Sequence, residues 1–138
     1  MISVRKQEVV KLEDVLHLYQ AVGWTNYTHQ PQMLEQALSH SLAIYMALDG
    51  DAVVGLVRLV GDGFSSVFVQ DLIVLPSYQR QGIGGALMKE ALGDFKDAYQ
   101  VQLVTDQTEK TLGFYRSLGF ETLSTYDCTG MIWLDRKK

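Results

Sequence analysis

The stretch that most constrains this chain is Gln79–Gly85, a junction with three glycines that leads from a buried strand into a helix. Before it, residues 67–75 are nearly all apolar on both alternating faces, which predicts a central strand covered on both sides. After it, apolar residues recur at helical spacing as far as residue 95, which predicts an amphipathic helix. The junction has no Ser, Thr, Asp or Asn to cap that helix, so backbone N–H groups at its start are left free.

Free N–H groups at the start of a helix form an anion-binding site, because the helix dipole favours negative charge and glycines allow close approach to the backbone. The junction therefore predicts a phosphate-binding loop, with a hydrated glycine-rich turn as the alternative. A nucleotide-hydrolase loop would need Gly-Lys followed by Ser or Thr, which is absent here. A dinucleotide fingerprint would need a third glycine where Leu87 stands, so it is only weakly indicated.

Two motifs make the chain resemble the Gcn5-related N-acetyltransferases. The pattern Gln79-x-x-Gly82-x-Gly84 is similar to the acyl-CoA pyrophosphate loop of that family, and Phe114–Phe120 is similar to its C-terminal helix signature. The resemblance covers essentially the whole chain and implies acetyl-CoA as cosubstrate, held by backbone groups of the loop and of the strand before it. The residues so implied are Leu72, Ile73, Val74, Gln79, Arg80, Gln81, Gly82, Ile83, Gly84 and Gly85.

The order of predicted elements fits the same fold. Strands are predicted at 2–5, 42–48, 53–60, 67–75 and 101–104, with a closing antiparallel pair at Leu123–Tyr126 and Met131–Leu134. Asp49-Gly50 predicts a hairpin, Pro31 begins a helix, and Asp106 is predicted to cap the last helix. We therefore expect an α/β fold with a mixed, mostly antiparallel sheet of six to seven strands and helices on both faces. The resemblance implies in addition that the fourth and fifth strands splay apart to admit the pantetheine arm.

Length and composition narrow the class of protein. At 138 residues with 47% hydrophobic and 20% charged residues, we expect one globular domain spanning residues 1–138, either monomeric or homodimeric. A net charge of −4 argues against nucleic acid as a partner. No secretory signal or membrane-spanning run is seen, and the lone Cys128 fits a reducing cytoplasm. The three histidines show no metal-ligand spacing, so no metal is expected.

Tyr115 is the candidate proton donor. The resemblance implies that the tyrosine of the Phe-Tyr pair lies near the CoA sulfur and protonates the departing thiolate. A tyrosine holds its proton at neutral pH, which suits that role. The alternative is a half-buried aromatic residue on a packing helix.

The general base is where the chain departs from the family pattern. Many members have a glutamate two residues before the apolar triplet, but this chain has Gln70, which cannot usefully accept a proton. Asp71 is the nearest carboxylate and a candidate base, although strict strand alternation puts it on the opposite face unless a bulge redirects it. Water relayed from His29 or Tyr27 is another route.

The acceptor site is predicted in the aromatic loop at residues 23–30. We expect Trp24, Tyr27, His29 and Gln70 to contact the substrate, with a plain surface connection as the alternative. The sequence thus predicts an acetyl-CoA-dependent N-acetyltransferase that acetylates a small-molecule primary amine by direct attack in a ternary complex. A peptide or protein N-acetyltransferase and a non-catalytic acyl-CoA-binding module are the alternatives.

Overall fold

A five-stranded sheet forms the centre of the first 103 residues in the computed structural model, which describes residues 1–133. Its strands, in spatial order, are β1 (Ile2–Gln7), β2 (Ala43–Asp49), β3 (Ala52–Gly61), β4 (Ser66–Val74) and β5 (Gln100–Leu103). The first four strands pair antiparallel, and β5 runs parallel to β4. The sheet is therefore mixed and mostly antiparallel, as predicted from the sequence.

Helices cover both faces of this sheet. One face carries α1 (Leu12–Ala21), α2 (Thr25–Thr28) and α3 (Pro31–Ser39), and the other carries α4 (Ile83–Asp94). The core of the first face joins helical Val15, Leu18, Leu34 and Leu38 to the strand residues Ile44, Met46, Leu56 and Ile73. On the second face α4 approaches β3 closely, because a Cβ added at Gly55 would lie only 3.2 Å from Cδ1 of Leu87.

Among the described residues, those from 104 to 133 belong to a second compact unit. It contains α5 (Glu109–Ser117) and a short 3-10 helix at Leu123–Tyr126. Thr108 caps α5 through a hydrogen bond from the Thr111 backbone N–H to its Oγ1 at 3.3 Å. The predicted cap at Asp106 is therefore wrong, because the Asp106 carboxylate accepts from the backbone and hydroxyl of Thr108 instead.

The predicted closing strand pair is also wrong within the described residues. Residues 123–126 form the 3-10 helix, and residues 131–133 are exposed and outside any strand; Leu134 lies outside the described residues. The reason is local turn chemistry, since the Thr122 carbonyl and hydroxyl bind Thr125 and hold the chain in a tight turn. The described part of the chain consequently has a sheet of five strands rather than six or seven.

Candidate active site

The junction before α4 has the uncapped start that the sequence predicts. Gly82 occupies the N-cap position with a φ of 78°, and no side chain hydrogen-bonds to the helix start. Arg80 also has a positive φ, of 67°, so the chain turns sharply just before the helix. A Cβ built on Gly82 or Gly85 would meet nothing within 4 Å, so the space beside these backbone N–H groups is open. An anion can therefore approach this loop without displacing a side chain.

Gln79 ties the loop to the strand before it. Its Nε2 donates a hydrogen bond of 3.1 Å to the backbone carbonyl of Val74, the last residue of β4. Pro76–Tyr78 form a single 3-10 turn between them. The loop therefore has a fixed position against the end of β4, and Gln79 contributes to that position through its side chain.

The far edge of β4 is unpaired over its second half in the described structure. β5 pairs only with Ser66–Val69, while β4 continues to Val74. The Leu75 backbone N–H donates to the Val54 carbonyl of β3, so alternation directs the N–H and C=O groups of Leu72 and Val74 to the opposite, open edge. The same alternation directs those of Ile73 toward β3. The opening agrees with the splayed strands that the family resemblance implies.

A β-bulge at Gln70 marks the start of this opening. Arg58 pairs with Asp71, but the next residue of β3, Leu59, pairs with Val69, so Gln70 is the extra residue on β4. Strict alternation therefore fails here, and both Gln70 and Asp71 reach the face covered by α1 and α2. The bulge that would redirect Asp71 is therefore present.

Asp71 lies at the centre of a buried hydrogen-bond network and is only 2% exposed. Its Oδ2 accepts from Arg58 Nε at 2.7 Å and from the Tyr19 hydroxyl at 2.9 Å, while its Oδ1 accepts from the Tyr27 hydroxyl at 2.9 Å. Burial opposes the charge on Arg58, but the charge of Asp71 and its hydrogen bond more than offset this, so the pKa of Arg58 is raised. The carboxylate is thus surrounded by donors and closed to solvent.

Tyr27 connects this network to the bulge. Its hydroxyl accepts from Arg58 Nη2 at 3.2 Å and from Gln70 Nε2 at 3.5 Å. Burial and then the charge of Asp71 raise the pKa of Tyr27, so its phenol keeps its proton at neutral pH. That proton is already donated to Asp71 Oδ1.

The other predicted acceptor residues lie around α2. Trp24 is half-buried at the N-cap of α2, with its ring 6.3 Å from that of Tyr27. His29 is exposed at the C-cap and takes no part in the hydrogen bonds around Asp71. The structure thus brings Tyr27 and Gln70 together and places Trp24 beside Tyr27.

Tyr115 lies in the second unit, on α5. Its half-buried ring packs edge-on against Phe114 and Phe120, with centroids 4.9 and 5.9 Å away. Burial, and secondarily the charge of Asp106, raise the pKa of Tyr115 above its ordinary value. The phenol is therefore a proton donor rather than an acceptor near neutral pH.

Two residues of the network, Arg58 and Tyr19, were missed from the sequence. Arg58 had a usable signal, because it is the one charged residue in the apolar run 53–60 and so needs a buried partner. Tyr19 lies at helical spacing from Val15 and Leu16, which indicates a place in the apolar stripe of α1 but gives no sign of a contact through its hydroxyl.

A separate open cleft of about 750 Å³ lies between the start of α1 and the β2–β3 hairpin. Its lining includes Glu13, His17, Asp51 and Tyr78 but none of the predicted site residues. Among residues 1–133 no cluster of His, Cys, Asp and Glu has the arrangement of a metal site. Within the same range, no helix has the length and apolar character needed to span a bilayer.

A sequence profile of the acetyltransferase (GNAT) domain matches residues 40–122. The chain is 30% identical over 95 residues to serotonin N-acetyltransferase 2, chloroplastic, of Oryza sativa subsp. japonica, covering 66% of this chain and 48% of the rice protein. It thus spans about half the length of that relative. Among solved structures, a GNAT family acetyltransferase of Streptococcus pneumoniae TIGR4 is 80% identical, with 99% of this chain and 100% of that chain covered at a TM-score of 0.92. A probable acetyltransferase of methicillin-resistant Staphylococcus aureus is 25% identical, with 96% and 98% covered at a TM-score of 0.80.

Proposed function

Because the chain belongs to the GNAT acetyltransferase family, we propose that it transfers an acetyl group from acetyl-CoA to a primary amine of a small molecule by direct attack in a ternary complex. The observation that supports this most is the junction itself, where an uncapped glycine-rich helix start is hydrogen-bonded to the end of a strand with an open edge. A pyrophosphate and an amide-containing arm need these two features side by side.

The loop would hold the pyrophosphate through its backbone. Free N–H groups and the positive end of the α4 dipole face an open space, and Arg80 adds an exposed positive charge. The residues proposed for this role are Gln79, Arg80, Gln81, Gly82, Ile83, Gly84 and Gly85, with Gln79 acting through its hydrogen bond to Val74.

The pantetheine arm would add to β4 as an extra strand. Leu72 and Val74 have backbone groups directed to the open edge, and these can pair with amides of the arm. Ile73 was expected to take part as well, but its backbone groups are directed to β3. We therefore narrow the proposed contacts to Leu72 and Val74.

In the reaction the neutral amine nitrogen attacks the thioester carbonyl carbon, so that an N–C bond forms and the C–S bond breaks. We propose that Tyr115 gives its phenolic proton to the departing thiolate, the nitrogen loses its extra proton to water, and Tyr115 regains a proton from solvent. Tyr115 belongs to the second unit and the loop to the first. We propose that residues 1–138 act as one N-acetyltransferase domain.

The acceptor side of the site is proposed to lie at Trp24, Tyr27, His29 and Gln70. Aromatic rings of α2 beside a polar bulge suit an amine carried on an aromatic or cationic small molecule. The name of the rice relative, a serotonin N-acetyltransferase, agrees with an aromatic amine.

A reducing compartment such as the cytoplasm is consistent with the free, exposed Cys128.

A thiol-release assay with an amine panel tests this function. Free CoA would be followed with serotonin, spermidine, an aminoglycoside and a short peptide with a free N-terminus, and acetyl-CoA binding would be measured separately by calorimetry. We expect binding and release of CoA with at least one small amine. Turnover with the peptide alone would instead identify a peptide acetyltransferase. Binding of acetyl-CoA with no turnover on any amine would identify a binding module.

A further inference from the structure

The hydroxyl of Tyr27 has no hydrogen-bonding capacity left for a substrate. A phenol has one O–H to donate and two lone pairs to accept with. Tyr27 donates to Asp71 Oδ1 at 2.9 Å and accepts from Arg58 Nη2 at 3.2 Å and Gln70 Nε2 at 3.5 Å. Because every hydrogen-bonding position of its hydroxyl is occupied, Tyr27 acts by holding the side chains that it contacts.

Of those neighbours, only Gln70 reaches the surface. Arg58 and Asp71 are 4% and 2% exposed, whereas Gln70 is an exposed residue at the bulge. Its Nε2 is directed to Tyr27, so its carbonyl oxygen Oε1 is directed away from the network. Gln70 is two residues before Leu72 on the same strand, about 7 Å along β4 from the first backbone groups available to the pantetheine arm.

We propose that Tyr27 is a positioning residue that locks the Gln70 side-chain amide, and that Gln70 Oε1 accepts a hydrogen bond from an N–H of the acceptor amine. This assignment rests on the acetyltransferase function proposed above and names the residues that would determine its specificity for the acceptor. An amide oxygen accepts from N–H groups but takes no proton at neutral pH. Gln70 would therefore orient the amine nitrogen through one of its N–H groups and would not remove its proton.

The chain offers a matched pair of variants for the test. Tyr19 and Tyr27 each donate a 2.9 Å hydrogen bond to Asp71, but only Tyr27 also contacts Gln70. Tyr19→Phe and Tyr27→Phe therefore remove the same kind of bond from the same carboxylate. Tyr27→Phe also removes the hydrogen bond from Arg58 Nη2, so the two variants are compared at the Gln70 amide and not by their stability.

Nuclear magnetic resonance of the Gln70 side-chain amide, assigned by its disappearance in Gln70→Glu, tests the positioning without requiring turnover. In wild-type protein and in Tyr19→Phe we expect a rigid amide that exchanges slowly with water. Tyr27→Phe should raise the exchange rate by about tenfold, the order expected when one modest hydrogen bond is lost. Equal mobility of the Gln70 amide in wild type and Tyr27→Phe would overturn the positioning role.

Steady-state kinetics with serotonin tests the substrate contact. Tyr27→Phe and Gln70→Leu should both raise the KM for serotonin, by about tenfold for Gln70→Leu, while the Kd for acetyl-CoA stays at the wild-type value. The double variant should be no worse than Gln70→Leu, because both changes remove one contact. An unchanged KM in Gln70→Leu would overturn the proposed contact. If the wild type turned over no amine of the panel, the catalytic function would fail instead, and the resonance result would still decide the positioning.

Discussion

Arg58 and Asp71 face each other across β3 and β4 at the point where the pairing register shifts, with Arg58 Nε 2.7 Å from Asp71 Oδ2. A slip of one residue at this place would separate the two charges and leave each buried without a partner. The ion pair therefore fixes the bulge at Gln70. The bulge in turn marks where pairing with β5 ends and the open edge of β4 begins.

The first prediction concerns the energetics of this pair. Arg58→Met should lower the free energy of unfolding by about 3–5 kcal/mol, because it leaves the Asp71 carboxylate buried without its partner charge. The double variant Arg58→Met/Asp71→Leu removes both charges and should recover most of that loss. Urea denaturation of the two variants and the wild type measures the difference.

The double variant also separates stability from function. If the ion pair fixes the bulge, the double variant should bind acetyl-CoA more weakly even though it is stable. Wild-type affinity for acetyl-CoA in the double variant, measured by calorimetry, would show that the bulge forms without the ion pair.

The second prediction concerns Gly82. Gly82→Asp puts a negative charge at the N-cap, beside the proposed pyrophosphate position, and should weaken acetyl-CoA binding by about tenfold or more, which is about 1.4 kcal/mol. Gly82→Asn is the matched control, since asparagine has nearly the same shape and also tolerates the left-handed φ of 78°. Equal affinities of the two folded variants would remove the anion site from this loop.

Much of the fold could be predicted from the sequence because it rests on strong local patterns. The Asp49-Gly50 turn, the apolar central strand and the uncapped glycine junction each have a direct physical cause in a few adjacent residues. The chain after Phe120 could not be predicted, because its alternating apolar residues suggest strands while Thr122 and its neighbours form a tight turn.

The network around Asp71 could be predicted only in part. A carboxylate in a buried strand indicates a partner, and Arg58 is the one candidate in the adjacent apolar strand. The bulge that brings them to the same face depends on pairing between distant residues, which a single strand's pattern does not record. The contacts from Tyr19 and Tyr27 depend on how α1 and α2 pack against the sheet, which a local sequence pattern does not show.

The third prediction concerns Tyr115. Tyr115→Phe should lower kcat by about 10²-fold and leave the Kd for acetyl-CoA unchanged, because it removes only the proposed proton donor. Burial raises the pKa of Tyr115, so the wild type should keep this proton donor as the pH rises above neutral. Tyr126→Phe, at an exposed tyrosine of the same unit, is the control. Wild-type turnover in Tyr115→Phe, with the chemical step limiting, would reduce the residue to a packing role.

The fourth prediction concerns stability in acid. Asp62 accepts hydrogen bonds from Ser65 Oγ and from the backbone N–H groups of residues 64–66, which lower its pKa. A lowered pKa in the folded state adds stability that is full above the unfolded value of about 3.9 and is lost as the pH falls below it. The difference in unfolding free energy between wild type and Asp62→Asn should therefore be largest near pH 7 and narrow below about pH 4.

The last prediction concerns the source of the neutral amine. Gln70 cannot take a proton and Asp71 is closed to solvent, so the amine should lose its proton before it binds. In a series of primary amines of different pKa, the rising limb of kcat/KM against pH should therefore move with the pKa of each amine. Gln70→Glu places a carboxylate at the bulge and should shift that limb to lower pH.

Asp71→Asn tests the competing base directly, because it removes the carboxylate with little change in shape. We expect the folded variant to keep the pH profile of the wild type for every amine of the series, although it should be less stable, since Arg58 loses its buried counter-charge. Rates are measured well below the melting temperature of the variant, so that its lower stability does not affect them. Two results together would identify Asp71 as the general base. The rising limb would lie at the same pH for all amines, and folded Asp71→Asn would lose both that limb and its activity.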